Sequence, residues 1–269
     1  VAYMPNMPAT IIAMLACASL GAIWSSCSPD FGVQGVLDRF GQIRPEILIV
    51  CDEYYYNGKK FNCLNKVEEI ANKLSSLKKI IVTKYNELKP STNSKFKNKL
   101  FVTWFEYTKK YTPGEIKYEI MNFNDPLYIM YSSGTTGVPK CIIHSIGGTL
   151  LQHVKEHFFH TDLKESDRIF YFTTCGWMMW NWLVSSLFNK ATIVLYDGSP
   201  FYPNSKRIWG LVDKYQINIF GTSAKFLDAC AKEKIDLKIN FKLNSLRTIL
   251  SAGSPLANAS FDFVYENVK

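Results

Sequence analysis

The chain has 269 residues, 47% hydrophobic and 20% charged, a balance that supports a packed core and excludes an intrinsically disordered protein. The net charge of +8 comes largely from lysines dispersed between Lys59 and Lys117. No basic helix or aromatic-basic module accompanies them, which argues against a nucleic-acid partner. Seven cysteines, an odd number without C-x-x-C spacing, suit a reduced, cytoplasmic protein with scattered thiols.

From Val1 through Pro29 no residue is charged. A membrane-spanning helix needs about 20 strongly apolar residues. Only Ala9 to Trp24 would serve, and its Ala, Cys, Ser and Gly dilute the hydrophobicity. The stretch reads as a buried helix, not a membrane span, and no basic segment precedes it as in a signal peptide. Ile47 to Cys51 is a short apolar strand, Asn65 to Leu77 has helical spacing, and Lys79 to Thr83 is the next strand. Strand, helix and strand in that order favour a parallel sheet. Lys84 to Thr112 is rich in Lys, Asn, Ser and Thr and is expected to be a surface excursion with little regular structure.

Beyond it, strands are predicted at Leu127–Tyr131, Cys141–His144, Arg168–Phe172, Ala191–Tyr196, Ile217–Phe220 and Arg247–Leu250. Helices are predicted at Thr149–His160, Met178–Phe188, Ser205–Tyr215, Ala224–Lys232 and Ala257–Val268. The whole reads as an α/β protein of layered β-sheets with packed helices. A first α/β subdomain is expected over 1–120, with the polar excursion at 84–112, and a second over 121–269.

Between two of the predicted strands lies Tyr131-Ser-Ser-Gly-Thr-Thr-Gly-Val-Pro-Lys140. Its glycines let backbone N–H groups approach an anion, its hydroxyls add donors, and Lys140 adds a compact positive charge. Such a loop suits a polyphosphate. A Ser/Thr/Gly-rich hairpin turn has the same composition. It is not a Walker A loop, because no Ser or Thr follows the lysine. Downstream, Tyr171 to Asn181 (YFTTCGWMMWN) concentrates Trp and Met, which reads either as a buried helix start or as an adaptable apolar wall.

The ordered string Tyr131–Lys140 resembles the signature of the acyl-adenylate-forming superfamily, which includes acyl-CoA synthetases, luciferases and peptide-synthetase adenylation domains. Ile23–Gly32 (IWSSCSPDFG), Val36–Phe40 (VLDRF), Leu195–Pro200 (LYDGSP) and Ile249–Leu256 (ILSAGSPL) match the same family, so the resemblance spans nearly the whole chain. It implies that Ser132, Ser133, Gly134, Thr135, Thr136, Gly137 and Lys140 hold the phosphates of ATP, with Lys140 catalytic. It also implies that Gly253, Ser254 and Pro255 lie against adenine. GWMMWN is similar to the acetoacetyl-CoA synthetases, with Trp177 bounding the acyl chain and Met179 beside it. The substrates implied are acetoacetate, ATP and CoA, and other short acids such as acetate or propionate are the alternative.

The family's later motifs are not found after Leu256: a Glu that helps to hold Mg²⁺, an Asp that grips the ribose, and a small C-terminal domain with a second catalytic Lys. Both ends fall in mid-pattern. The chain is therefore expected to be an incomplete copy, weakly active or inactive alone, and a nucleotide-binding pseudoenzyme is the rival explanation. A reading from another class is a zinc hydrolase, because His153, Glu156 and His157 match H-x-x-E-H. That pattern is short, and histidines on a polar helix face are ordinarily solvated or paired with Glu.

Overall fold

The computed structural model describes residues 1–85, 98, 100–132 and 137–268. It divides into two compact units: Val1–Tyr55 with Lys60–Thr149, and Tyr56–Lys59 with Leu150–Lys269.

The first unit opens with β1 (Ala2–Tyr3), α1 (Pro8–Ser19), β2 (Ser26–Cys27) and α2 (Val33–Ile43). Then come β3 (Ile47–Cys51), β4 (Glu53–Tyr56), β5 (Lys59–Asn62), α3 (Leu64–Lys73) and β6 (Lys79–Thr83). β7 (Phe101–Thr103), α4 (Trp104–Thr108), β8 (Pro126–Ser132), β9 (Lys140–Ser145) and α5 (Ile146–Lys155) complete it, α5 running across the boundary between the units. Five strands form a parallel sheet in the order β2-β1-β3-β6-β7. Leu48, Val50 and Cys51 of β3 are fully buried, as an inner strand of a parallel sheet requires. Val36 and Phe40 of α2 and Val67 and Ile70 of α3 pack in the same core, at the helical spacing that puts each pair on one face.

Two expectations need correction here. The apolar stretch predicted as a buried helix over Ala9 to Trp24 is α1, which stops at Ser19; it buries Thr10, Ala13 and Met14 but exposes Ile12 and Leu15, and its C-cap Leu20 is exposed as well. Trp24 lies beyond it and bridges to Tyr128. No described helix is long and apolar enough to cross a membrane. Within the polar excursion, Phe101–Thr103 adds the fifth strand beside β6, and Thr103 caps α4. Thr103 Oγ1 accepts from Glu106 N–H and donates to the Glu106 carboxylate. The Thr-x-x-Glu spacing is that of a capping box, here with the Glu106 carboxylate on the hydroxyl, and is a signal that composition hid.

The second unit carries β10 (Arg168–Tyr171), α6 (Met178–Ser185), β11 (Thr192–Val194), α7 (Lys206–Lys214) and β12 (Ile219–Ser223). α8 (Ala224–Lys232), α9 (Leu237–Asn240), β13 (Thr248–Ala252) and α10 (Asn258–Asn267) follow. Its parallel sheet runs β11-β10-β12-β13. Alternation along β10 sends Phe170 to one face, stacked on Phe220 with Trp209 edge-on to that ring, and Ile169 and Tyr171 to the other. A bidentate pair joins the strand roots: Arg247 Nη1 donates to Asp167 Oδ1 at 2.6 Å, and Nη2 to Oδ2. The layered α/β class follows as predicted.

Candidate functional site

In the first unit, β8 and β9 pair antiparallel with Tyr131 opposite Cys141 and Ser132 opposite Lys140. The two ends of the proposed phosphate loop therefore stand side by side. Gly137 has φ of +101°, a conformation that disfavours any side chain, and a Cβ there would meet open space. Ser132 is half-buried, and Lys140 is exposed. Ser133, Gly134, Thr135 and Thr136 lie outside the described residues.

The root of this loop is braced by residues for which the sequence suggested no role. Gln42 of α2 donates through Nε2 to Pro139 O at 2.8 Å, fixing the returning limb. Arg39, one helical turn earlier, lies over the rings of Phe31 and Tyr131, 4.7 and 5.7 Å from their centroids. Ser25 Oγ donates to Ile129 O at 2.8 Å and sits 3.0 Å from Tyr131 Oη. Burial raises the Tyr131 phenol well above its ordinary range, so it stays neutral. Arg39 belongs to VLDRF, a segment matched to the family in sequence; its stacking partners are 8 and 92 positions away, beyond any local pattern.

In the second unit, strand order reverses between β10 and β12, because β11 precedes β12 in sequence yet lies on the far side of β10. Ligands of open α/β sheets bind outside the carboxyl ends of strands at such a point. Trp177 follows the end of β10 and is the N-cap of α6; its side chain is 60% exposed. Met179 is partly buried against the core cluster that contains Tyr171, Trp182 and Leu183. The aromatic-rich segment thus divides, Trp180 and Trp182 entering the core while Trp177 and Met178 face outward. Gly253, Ser254 and Pro255 follow the end of β13 and are exposed; Gly253 has φ of +94° and open space where a Cβ would stand.

The histidines take a different place from the one expected. His153 is 2% exposed and His157 fully buried, so neither lies on a solvated face. α5 ends in a π-helical turn, Glu156–His160, in which Thr161 N–H reaches back five residues to Glu156 O. His157 Nε2 is 3.1 Å from Trp182 O and 2.9 Å from Ser185 Oγ. That nitrogen is committed, Glu156 pairs with Lys155, and no group of three metal-ligating side chains occurs among the described residues. The zinc-hydrolase reading therefore lacks its geometry.

The model for the AMP-binding enzyme family matches residues 1–269. Acetoacetyl-coenzyme A synthetase of Rhizobium meliloti is 51% identical over 270 residues, covering 100% of this chain and 41% of that protein. Acetoacetyl-CoA synthetase of Gallus gallus is 46% identical over 271 residues, again 100% of this chain and 41% of the relative. The solved acetoacetyl-CoA synthetase from Streptomyces lividans superposes with a TM-score of 0.90 at 38% identity, covering 99% of this chain and 40% of that one. The chain thus spans about two-fifths of the length of the relatives it matches. With a family model matched from the first residue to the last, this chain belongs to the AMP-binding enzymes.

Proposed function

We propose that the protein carrying this chain is an ATP-dependent acid–CoA ligase that converts acetoacetate, ATP and CoA to acetoacetyl-CoA, AMP and diphosphate. The observation that carries this reading is the ordered string Tyr131–Lys140, whose described ends face each other across β8 and β9. The similarity to named acetoacetyl-CoA synthetases over the whole chain supports the choice of acid.

Carboxylates are poor electrophiles at neutral pH. An oxygen of the acid attacks the α-phosphorus of ATP, the bond to diphosphate breaks, and a mixed anhydride forms. The sulfur of CoA, losing its proton, then attacks the acyl carbon and AMP departs. In this scheme Ser132, Ser133, Gly134, Thr135, Thr136 and Gly137 give hydroxyl and N–H donors to the phosphates, and the Lys140 ammonium offsets charge gathering on the departing diphosphate. Gly253, Ser254 and Pro255 offer exposed backbone to adenine, and Trp177 and Met179 bound the acyl chain. Mg²⁺ dependence is part of the proposal, but the described residues hold no cluster of three carboxylate, histidine or cysteine side chains for the ion, so these residues are given no part in binding it. Seven cysteines, none in a disulfide among the described residues, support a cytoplasmic setting.

Acid-dependent exchange between ATP and labelled diphosphate tests the proposal in the protein that carries this chain. Exchange fastest with acetoacetate is expected. Equal rates with acetate, propionate and acetoacetate would overturn the acid, and no exchange with any of them would overturn adenylation.

A further inference from the structure

His157 is fully buried in a π-helical turn, and the hydrogen bonds around it fix its tautomer. Ser185 Oγ gives its only proton to Trp182 O at 2.6 Å. Trp182 O can only accept. The His157 Nε2 atom between them therefore carries the hydrogen and shares it, at 3.1 Å to the carbonyl and 2.9 Å to the hydroxyl. Nδ1 is left as a buried lone pair with no partner among the described residues. Burial lowers the ring's pKa to about 4, partly countered by the Trp182 carbonyl and Glu156, which keeps it neutral. An unpaired buried nitrogen and an inserted helical residue are both costs, and both gather where a side chain does more than fill space.

What the histidine holds is the carboxyl end of α6. The imidazole also lies 4.2 Å from the Trp182 ring, which meets Tyr171 edge-on at 6.1 Å. Met179, six residues before Ser185 on the same helix, packs against this cluster. We propose that His157 is a positioning residue for acid selection: its Nε2–H fixes Trp182 and Ser185, and through α6 it sets where Met179 and Trp177 stand at the carboxyl edge of the sheet. This role rests on the ligase reading, and it adds a residue that touches neither the acid nor the nucleotide.

Three variants of the protein carrying this chain, with diphosphate exchange and histidine ¹⁵N spectra, test it. His157→Phe keeps a ring on Trp182 but removes the donor. It should raise KM for acetoacetate about tenfold, the effect of one net hydrogen bond, while KM for ATP stays within about twofold. Preference for acetoacetate over butyrate should shrink with it. His157→Gln, which retains an N–H, should recover most of the loss. If the Phe variant does not fold, Ser185→Ala removes one acceptor and should raise the acid KM by about threefold. The wild-type spectrum should show the neutral Nε2–H tautomer. An Nδ1–H tautomer, or an unchanged acid KM in a folded variant of an active wild type, overturns the role alone. Absence of exchange in the wild type overturns the ligase reading and this role together.

Discussion

Tyr171 lays its ring across Gly221 on the neighbouring strand, so closely that a Cβ at Gly221 would stand 1.9 Å from Tyr171 Cδ2. The phenol then donates to Thr222 O at 3.2 Å. Only glycine leaves room for a ring at this point, where strand order reverses. Gly221→Ala should destabilise the protein by about 2–3 kcal/mol through overpacking, read as a lower urea midpoint. Adding Tyr171→Leu should recover part of that loss, because the two sites share one contact. A strictly additive double variant would show that the ring does not cause the strain.

The Asp167–Arg247 pair should matter more than a surface ion pair. Asp167 is nearly covered, with 8% side-chain exposure against 33% for Arg247, and it also accepts from Lys164 N–H at 2.6 Å. Removing the guanidinium strands a buried carboxylate. Arg247→Ala should cost about 2–3 kcal/mol, between the values for surface pairs and for broken buried pairs, because Arg247 is partly solvated. Burial alone would raise the Asp167 pKa, but the Arg247 and Lys164 bonds outweigh it and hold the carboxyl below its ordinary range. The stabilisation is thus present above an unfolded pKa of about 3.9 and is lost as pH falls through the lower folded value. Arg247→Ala should flatten the acid limb of the stability profile, which denaturant midpoints between pH 5 and pH 2 (approximately) would measure.

His157 gives a pH dependence in a separate window. Its folded pKa, about 4, lies below the ordinary 6.5. The unfolded chain therefore binds the proton first, and stability falls as pH drops from 6.5 towards 4. The full shift corresponds to about 3 kcal/mol, lost progressively on acidification. His157→Phe should reduce this slope, leaving a contribution from His144, whose pKa burial also lowers, and the Asp167 limb in place. An unaltered slope between these pH values would refute the assignment.

Lys140→Ala tests the proposed phosphate loop. On the proposed function the ammonium stabilises charge on the diphosphate, so adenylation should slow by about 10- to 100-fold. KM for the acid should change little. An equal loss of stability and rate would point to a structural role, although Lys140 is an exposed side chain at the start of β9.

Much of this architecture was legible locally. Lys79–Thr83 and Ala224–Lys232 fall where their apolar spacing put them, because hydrophobic period and end chemistry reside in the few residues that form each element. Phe101–Thr108 was missed because its surroundings are polar and its capping box was read only as composition. The loop string and its neighbours identified the family, and the seven cysteines form no disulfide among the described residues, five of them being buried. What bridges distance was not legible. Arg39 meets Tyr131 across 92 positions, and His157 meets Trp182 across 25, and neither separation leaves a periodic trace.

The sequence by itself determined that this chain alternates strands and helices, carries the ordered string Tyr131–Lys140, and belongs to the AMP-binding enzyme family. Tertiary structure alone decided the strand orders, the ring of Tyr171 on Gly221, and the π-helical turn that carries His157 inward. The reason is physical. Local propensity depends on neighbours in the chain, whereas strand order and buried hydrogen bonds are settled only when distant segments compete for the same partners.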